Sequence, residues 1–441
     1  MNRTRRALVV LVACAATSLG AGGWAGQQLA FEDVVARLEV GDPRGRLESL
    51  RLLRDAGYLE AAVPVAALLT DPIAEVRVQA IETEVSLFLA DEDYTRKYAA
   101  AIVGQRGATL PLLAFAQGPG ALIASPVPRE VVSGLIGATA SSEASVRFNA
   151  IYALGVFAPA VLAKGPLPDA DVAVERLMAA VRTPDPTLRL AATHVLGRLF
   201  EATASTNGRA GLLPVRSEVG DQLVAGMNDA DPLVRSASIR AIGAMHYERA
   251  VQALTDQLAY YKKGDQAREL LDALAWIAHP SSLGAFSSLL DHDDEQMRRL
   301  AVVGIGRVGD GSALDSLEIR MARDRSKFVK QALAYVRARR GDSPALAQLM
   351  EGFRDRRLGP VAWTYLVDLG PAVGADLGSF ALHRDWRVRA ATAEALGVIG
   401  HEPSVVVVEG LTRDKNRNVA SAARRSLQRL TPRPPGAPRL P

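Results

Sequence analysis

A twelve-residue pattern of apolar and small residues recurs through the C-terminal half of the chain, and its copies start thirty to thirty-two residues apart. With Val234 as position zero, Ala237, Ala241, Ile242 and Met245 follow at +3, +7, +8 and +11, and Gly243 stands at +9. Val388 opens the same series, as do Leu188 and Met297. The best phase places starts at Val234, Gln266, Met297, Phe328, Leu358, Val388 and Val419, with spacings of 32, 31, 31, 30, 30 and 31. Apolar residues three, four, seven and eight apart make one face of a helix, and a second period near 31 stacks such helices. A weaker amphipathic stretch, such as Val219 to Met227 or Ser281 to Leu290, precedes each strong copy. Each unit is thus expected to be an antiparallel helical hairpin, and the chain an all-α solenoid of nine to eleven units.

Upstream the intervals widen to 42 and 46 residues between Val146, Leu188 and Val234. Loop insertions are expected to take up the surplus, near 159–171 with its three prolines and near 203–217. Further copies start near Leu47 and Val76, with a degenerate region between Asp91 and Arg129. The solenoid is expected over 29–430, and Thr431 to Pro441, with five prolines, reads as a disordered tail.

The turn inside each unit has its own chemistry. Asp-Pro stands there in Asp71-Pro72, Asp185-Pro186 and Asp231-Pro232. Asp is a strong N-cap, and Pro is tolerated at the first helical position because its missing N–H has no partner there anyway. An Arg follows the first apolar residue in Arg77, Arg147, Arg189, Arg235, Arg298 and Arg389. Asp-Pro-x-Val-Arg followed by Ala and Ala-Ile-Gly resembles the HEAT repeat, in the short form of phycobilisome-lyase-like HEAT proteins. That resemblance covers most of Leu47 to Leu430. It implies a superhelical α-solenoid in which turn residues such as Asp185, Arg189, Asp231, Arg235, Asp385 and Arg389 are structural and pair along the stack. Lyase activity is not implied, because no chromophore-handling motif accompanies the repeat. Gln428 replaces the +9 glycine in the last copy, as expected of a capping unit.

With +3, +4, +7, +8 and +11 buried, positions +2, +6 and +10 are expected to face outward. They place Arg198, Arg240, Trp276, Arg299 and Arg307 on successive units. Arg and Trp are enriched at interface hot spots, so these five are the candidate binding residues.

Composition changes the picture at the ends of the chain. Arg3, Arg5 and Arg6 precede an apolar run from Ala7 to Leu19, and small residues lead to Gly26. This is the layout of a secretory signal over 1–25, so an exported, periplasmic bacterial protein is expected. Leu11-Val12-Ala13-Cys14 also resembles a bacterial lipobox, which would anchor the chain through Cys14 to the membrane. Cys14 is the single cysteine, so the body after it has no disulfide, thiolate metal site or thiol nucleophile. The net charge is only +4, but it is unevenly spread. Glu32 to Lys97 carries 14 acidic and 8 basic residues, and Arg320 to Arg357 carries 11 basic and 4 acidic.

Sites for chemistry are not evident. No two of the six histidines are four apart, as a helical zinc site would need. Asp291-His292-Asp293-Asp294 is the one dense cluster of oxygen ligands, and it falls where acidic residues cap a following helix. No phosphate-binding glycine motif and no Gly-x-Ser-x-Gly is present. The expectation is a non-enzymatic scaffold or adaptor of the cell envelope, without metal or cofactor, that binds another protein along the solenoid surface. The alternative is a polyanion- or nucleic-acid-binding solenoid that uses the basic region 320–357.

Overall fold

Each copy of the pattern folds as a helix because its apolar residues return with the helical period, and in the second unit most of these helices also start at a side-chain cap. The computed structural model describes residues 31–40, 42–89, 109–116, 121–122, 125–161, 168–201 and 216–431. The expected signal segment with Cys14, most of the degenerate region, the core of both expected insertions and the tail after Thr431 lie outside the described residues. The chain divides into two compact units, the first reaching Ala179 and the second running from Ala180 to Arg433.

The second unit is an α-solenoid. Its pattern helices, here called B helices, are Pro186–Leu199, Pro232–Ala244, Asp265–Ile277, Glu295–Val308, Lys327–Arg339, Gly359–Leu369, Trp386–Val398 and Arg417–Leu430. Shorter A helices alternate with them, among them Ser217–Gly226, Val251–Tyr260, Gly311–Met321, Ser343–Glu351 and Val405–Leu411. Successive B helices pack on one another, and most pack on the A helix that precedes them. The buried positions of Pro232–Ala244 are Val234, Ala237, Ser238, Ala241 and Ile242, the expected stripe. The +9 glycine marks where successive B helices approach most closely. A methyl group on Gly197 would stand 2.9 Å from Ala241 Cβ, and one on Gly243 would stand 2.8 Å from the Ala273 Cα. In both cases the residue met is at +7 of the following unit. Gln428 has no such neighbour, since among the described residues no B helix follows Arg417–Leu430.

Turn chemistry holds the stack along one edge. Asp185 and Asp231 cap their helices by accepting the Thr187 and Leu233 amides, with Pro186 and Pro232 in the first turn. Asp385 accepts the Arg387 amide in the same way. The arginines do something else. Arg189, Arg235 and Arg389 each reach back to two carbonyls of their own turn, as Arg235 does to Asp229 O (2.8 Å) and Ala230 O (3.1 Å). Arg189 and Arg389 also reach forward to the next turn, pairing with Asp229 at 2.9 Å and Asp414 at 2.7 Å. For Arg189 and Arg389 the paired acid stands two residues before the cap, whereas the capping residues Asp294 and Asp385 themselves pair with Arg268 and Arg354 of the preceding unit. A capping carboxylate can do both, because one oxygen accepts the helix amide while the other faces the preceding unit. Asp71 takes this second role, accepting the Ile73 amide and pairing with Arg46 at 2.8 Å. It is not a cap, because the helix there starts only at Ala74.

The expected insertion at 159–171 is partly helical. Ala158–Val161 is a short helix, and Pro168 opens the helix Pro168–Val181. Pro fits the first helical position, so proline clustering there punctuates helices as well as loops. Likewise Ser217, the last residue of the second expected insertion, begins Ser217–Gly226.

The first unit uses the same hairpins, with Pro43–Ala56, Ala74–Phe88 and Ala144–Val156 as its pattern helices. Phe88 and Phe157 meet edge to face at 5.5 Å in its core. One residue breaks the apolar rule. Glu84, at +8 in the copy from Val76, is fully buried and neither carboxylate oxygen has a hydrogen-bond partner. Burial raises its pKa well above the ordinary value and so favours the neutral acid in the folded unit. A carboxyl with a raised folded-state pKa imposes no ionisation penalty in acid. Its cost grows as pH rises through the unfolded-state value toward the folded one. Glu84→Leu is therefore expected to stabilise the first unit at neutral pH by about 1–3 kcal/mol, the usual cost of an unsatisfied buried polar group. The gain should be smaller in acid, where the ionisation cost is absent and only the unpaired neutral carboxyl is removed. Thermal melts of both proteins across pH measure this, and a gain independent of pH would contradict it.

Candidate functional site

On a helix, residues four apart lie above one another, so +6 and +10 of each B helix form a short column beside the packed stripe. In the second unit these columns hold His194 and Arg198, Arg240, Asp272 and Trp276, Arg307, Asp368, Glu394, Arg425 and Arg429. Successive columns make an inner face that is rich in charge.

The face is not simply solvated. Arg240 is exposed, and its Nε lies 3.3 Å from its own Ser236 carbonyl. Arg198 is mostly covered, with Glu201 at 3.5 Å, and burial lowers its pKa. His194 is held at about 4, first by burial and then by Arg240 and Arg198. It is a neutral imidazole at physiological pH.

Further along, five units converge. The Arg307 guanidinium stacks 3.5 Å from the centre of the Trp276 ring, and the ring of His246 approaches the same indole edge-on at 6.3 Å. Arg307 Nε lies 3.3 Å from the Tyr335 hydroxyl and 3.2 Å from Asp368. The Tyr335 hydroxyl donates to the same carboxylate. Tyr335 stacks on Tyr365 at 4.7 Å, and the Tyr365 hydroxyl accepts from Arg299 at 3.0 Å. Burial raises the pKa of both phenols, and that of Asp272 too, with Arg307 and Arg299 opposing the rise at Asp272.

Two of these contacts skip a unit. Arg299 and Arg307 belong to Glu295–Val308, but Tyr365 and Asp368 belong to Gly359–Leu369, beyond Lys327–Arg339. Side chains bridge second neighbours only where the stack bends toward them, so this stretch of the inner face curves inward.

The five sequence-derived candidates therefore divide. Arg240 faces solvent as expected, and Arg198 and Trp276 are half-buried along the same face. Arg307 does not point outward, since its side chain keeps only 5% of its exposure, and Arg299 is tied to Gln296 and Tyr365. Inward bending closes the space that a straight stack would have left open. Asp272 and Asp368 also occupy +6 and +10 and were open to the same reasoning. Tyr335 and Tyr365 sit at +7, where apolar packing is expected, and no local signal marks their hydroxyls.

The acidic turn at Asp291 to Asp294 is occupied by structural duties. Asp294 caps the Gln296 amide and pairs with Arg268 at 2.6 Å, and Arg320 binds Asp291. Among the described residues no group of His, Asp and Glu is placed to hold a metal, and no helix is long and apolar enough to cross a membrane. In the basic region 320–357, Arg320, Lys327, Arg337, Arg339 and Arg354 have acidic partners.

A family model described as HEAT repeats matches residues 262–338. No curated protein matches the chain. Among solved structures the chain is similar to an engineered protein at 17% identity, with 91% of this chain and 98% of that one covered and a TM-score of 0.29. It is also similar to Kap95p, in a structure with RanGDP, at 13% identity, covering 91% and 66% of the two chains with a TM-score of 0.33. A designed armadillo repeat protein in complex with the peptide (KR)4 aligns at 14% identity over 63% of this chain and 98% of that one, with a TM-score of 0.35.

Proposed function

We propose that this α-solenoid, whose residues 262–338 match a model of HEAT repeats, is a non-catalytic interaction scaffold or adaptor that binds another protein along the inner face of its second unit. Solenoids of this kind are generally binding scaffolds, because stacking yields a long surface and no enclosed pocket. The observation that carries the reading is the row Arg198, Arg240, Asp272 and Trp276, a run of half-buried to exposed arginine, acid and indole on adjacent helices. Such groups are partly desolvated before a partner arrives, which strengthens charge-assisted hydrogen bonds to it. Arg299 and Arg307 serve the surface from behind: Arg307 holds the Trp276 ring, and Arg299 holds Tyr365.

Export to the cell envelope is part of the proposal. Its support is the N-terminal order of Arg3, Arg5 and Arg6, the apolar run to Leu19 and the small residues before Gly26. Lipidation at Cys14 would give the same location with a membrane anchor.

A photo-crosslinking residue at position 240 tests the site and the compartment together. A discrete protein adduct from the envelope fraction, lost when Trp276→Ala is added, is the expected result. Adducts only to nucleic acid, from a cytoplasmic protein that retains Met1, would overturn the proposal in favour of the polyanion reading.

A further inference from the structure

Beside the inner face, the second unit has an edge formed by the turns that join each A helix to its B helix. Four consecutive turns on this edge are basic. The turns at Arg323 to Lys327, Arg354 to Arg357, Arg384 to Arg387 and Arg413 to Arg417 carry three, three, two and three basic residues against one Asp each. The preceding turn, Asp291 to Glu295, is acidic.

Ion pairs place these turns next to one another. Arg298 reaches Asp324 at 2.8 Å, Lys327 reaches Asp355 at 3.5 Å, Arg354 reaches Asp385 at 3.4 Å and Arg389 reaches Asp414 at 2.7 Å. Each link joins one turn to the next, so the four tips follow one line. With packed helices about 10 Å apart, that line is roughly 30 Å long.

The same links decide the charge that is left over. The four turn aspartates are engaged: Asp324 and Asp414 pair with Arg298 and Arg389, Asp385 caps its helix by accepting the Arg387 amide, and Asp355 accepts the Arg357 amide within its turn and pairs with Lys327. Arg323, Arg325, Arg356, Arg384, Arg413, Lys415 and Arg417 are exposed, and among the described residues none has an acidic partner. The edge therefore leaves seven exposed cations without an acidic partner among the described residues, while its aspartates are engaged.

Two aliphatic side chains close to these turns in the chain are exposed. Leu382, directly before the third turn, is 93% exposed, and Ile319, on the helix leading into the first turn, is 79% exposed. Phe328 and Trp386 lie beneath the guanidinium groups of Arg357 and Arg387 at 5.4 and 5.0 Å, so neither ring is bare for base stacking. A line of exposed cations with exposed aliphatic side chains nearby in the chain, and with its aromatic rings covered by guanidinium groups, fits a flat anionic sheet better than a nucleic-acid strand. We propose that the basic turn edge from Arg323 to Arg417 docks the solenoid on an anionic lipid surface, with Leu382 entering the headgroup region. This surface is distinct from the inner face and leaves that face free for a protein partner.

Co-sedimentation of the full chain with vesicles tests the assignment. Binding is expected to vesicles containing phosphatidylglycerol, but not to pure phosphatidylcholine, and to weaken with salt. Each cation removed should lower the partition coefficient about fivefold. Arg356→Glu with Arg384→Glu should therefore weaken binding at least twentyfold, on the order of two such steps. Arg44→Glu with Arg51→Glu, the same charge change on exposed residues of the first unit, should lower it far less. Leu382→Asp should weaken binding without changing the fold, as checked by circular dichroism. Equal binding to neutral and anionic vesicles, equal losses in the two double variants, or retention on duplex DNA without vesicle binding would each overturn the proposal.

Discussion

Arg307→Ala is expected to destabilise the second unit by about 3–5 kcal/mol, the usual cost of breaking a buried ion pair from one side. Asp368, itself 12% exposed, would keep only Tyr335 and the more distant Arg339 at 3.9 Å. Trp276 would lose the cation stacked on its ring, which adds up to about 2 kcal/mol where the pair is desolvated. Because Arg307 bridges second neighbours, the loss should be shared by Glu295–Val308, Lys327–Arg339 and Gly359–Leu369 rather than confined to one helix. Repeat arrays need not unfold in one step, so hydrogen exchange resolved by helix is the better measurement. Faster exchange in those three helices together supports the argument. A loss under about 1 kcal/mol would mean that the clasp is solvated and contributes little, as exposed pairs do. Replacing both partners with apolar residues, Arg307→Met and Asp368→Leu, should recover most of the stability.

Gly243→Ala is expected to destabilise by about 1–3 kcal/mol, although alanine is the better helix former. The new methyl group would stand 2.8 Å from the backbone Cα of Ala273 and 3.1 Å from its Cβ, so the two B helices must move apart. Backbone cannot rotate away as a long side chain can. Gly410→Ala supplies the opposite sign. Gly410 lies in the exposed part of Val405–Leu411 with nothing within 4 Å of the added methyl, so that change should gain up to about 1 kcal/mol. Urea titration of the two variants beside the parent protein measures both effects. A stabilising Gly243→Ala would show that the +9 glycine is tolerated rather than required.

The two results bear on how much of this molecule is legible without coordinates. Helix existence, helix phase and stacking follow from the 3.6 and 31-residue periods, because every helix repeats the same local solution. The glycine at +9 was visible as a repeated letter, but its reason lies in the neighbour at +7 of the next unit. Asp185 and Asp231 were legible as caps because capping involves residues two or three apart. The stack partners Asp229 and Asp414 were not, since their arginines lie 40 and 25 residues earlier. Arg307 shows the limit most plainly. Its position on the helix predicts an outward side chain, yet the inward bend buries it.

Sequence alone determined the all-α solenoid, the unit length, the buried stripe and the capped turns, because each depends on residues close together in the chain. Only the tertiary structure decided the depth of the inner face, the clasp that joins second neighbours and the edge whose aspartates are engaged while its exposed cations lack acidic partners among the described residues. Those features arise where helices from different units meet. The small tilt and bend between units sets which side chains come within hydrogen-bonding distance, and no single repeat carries that information.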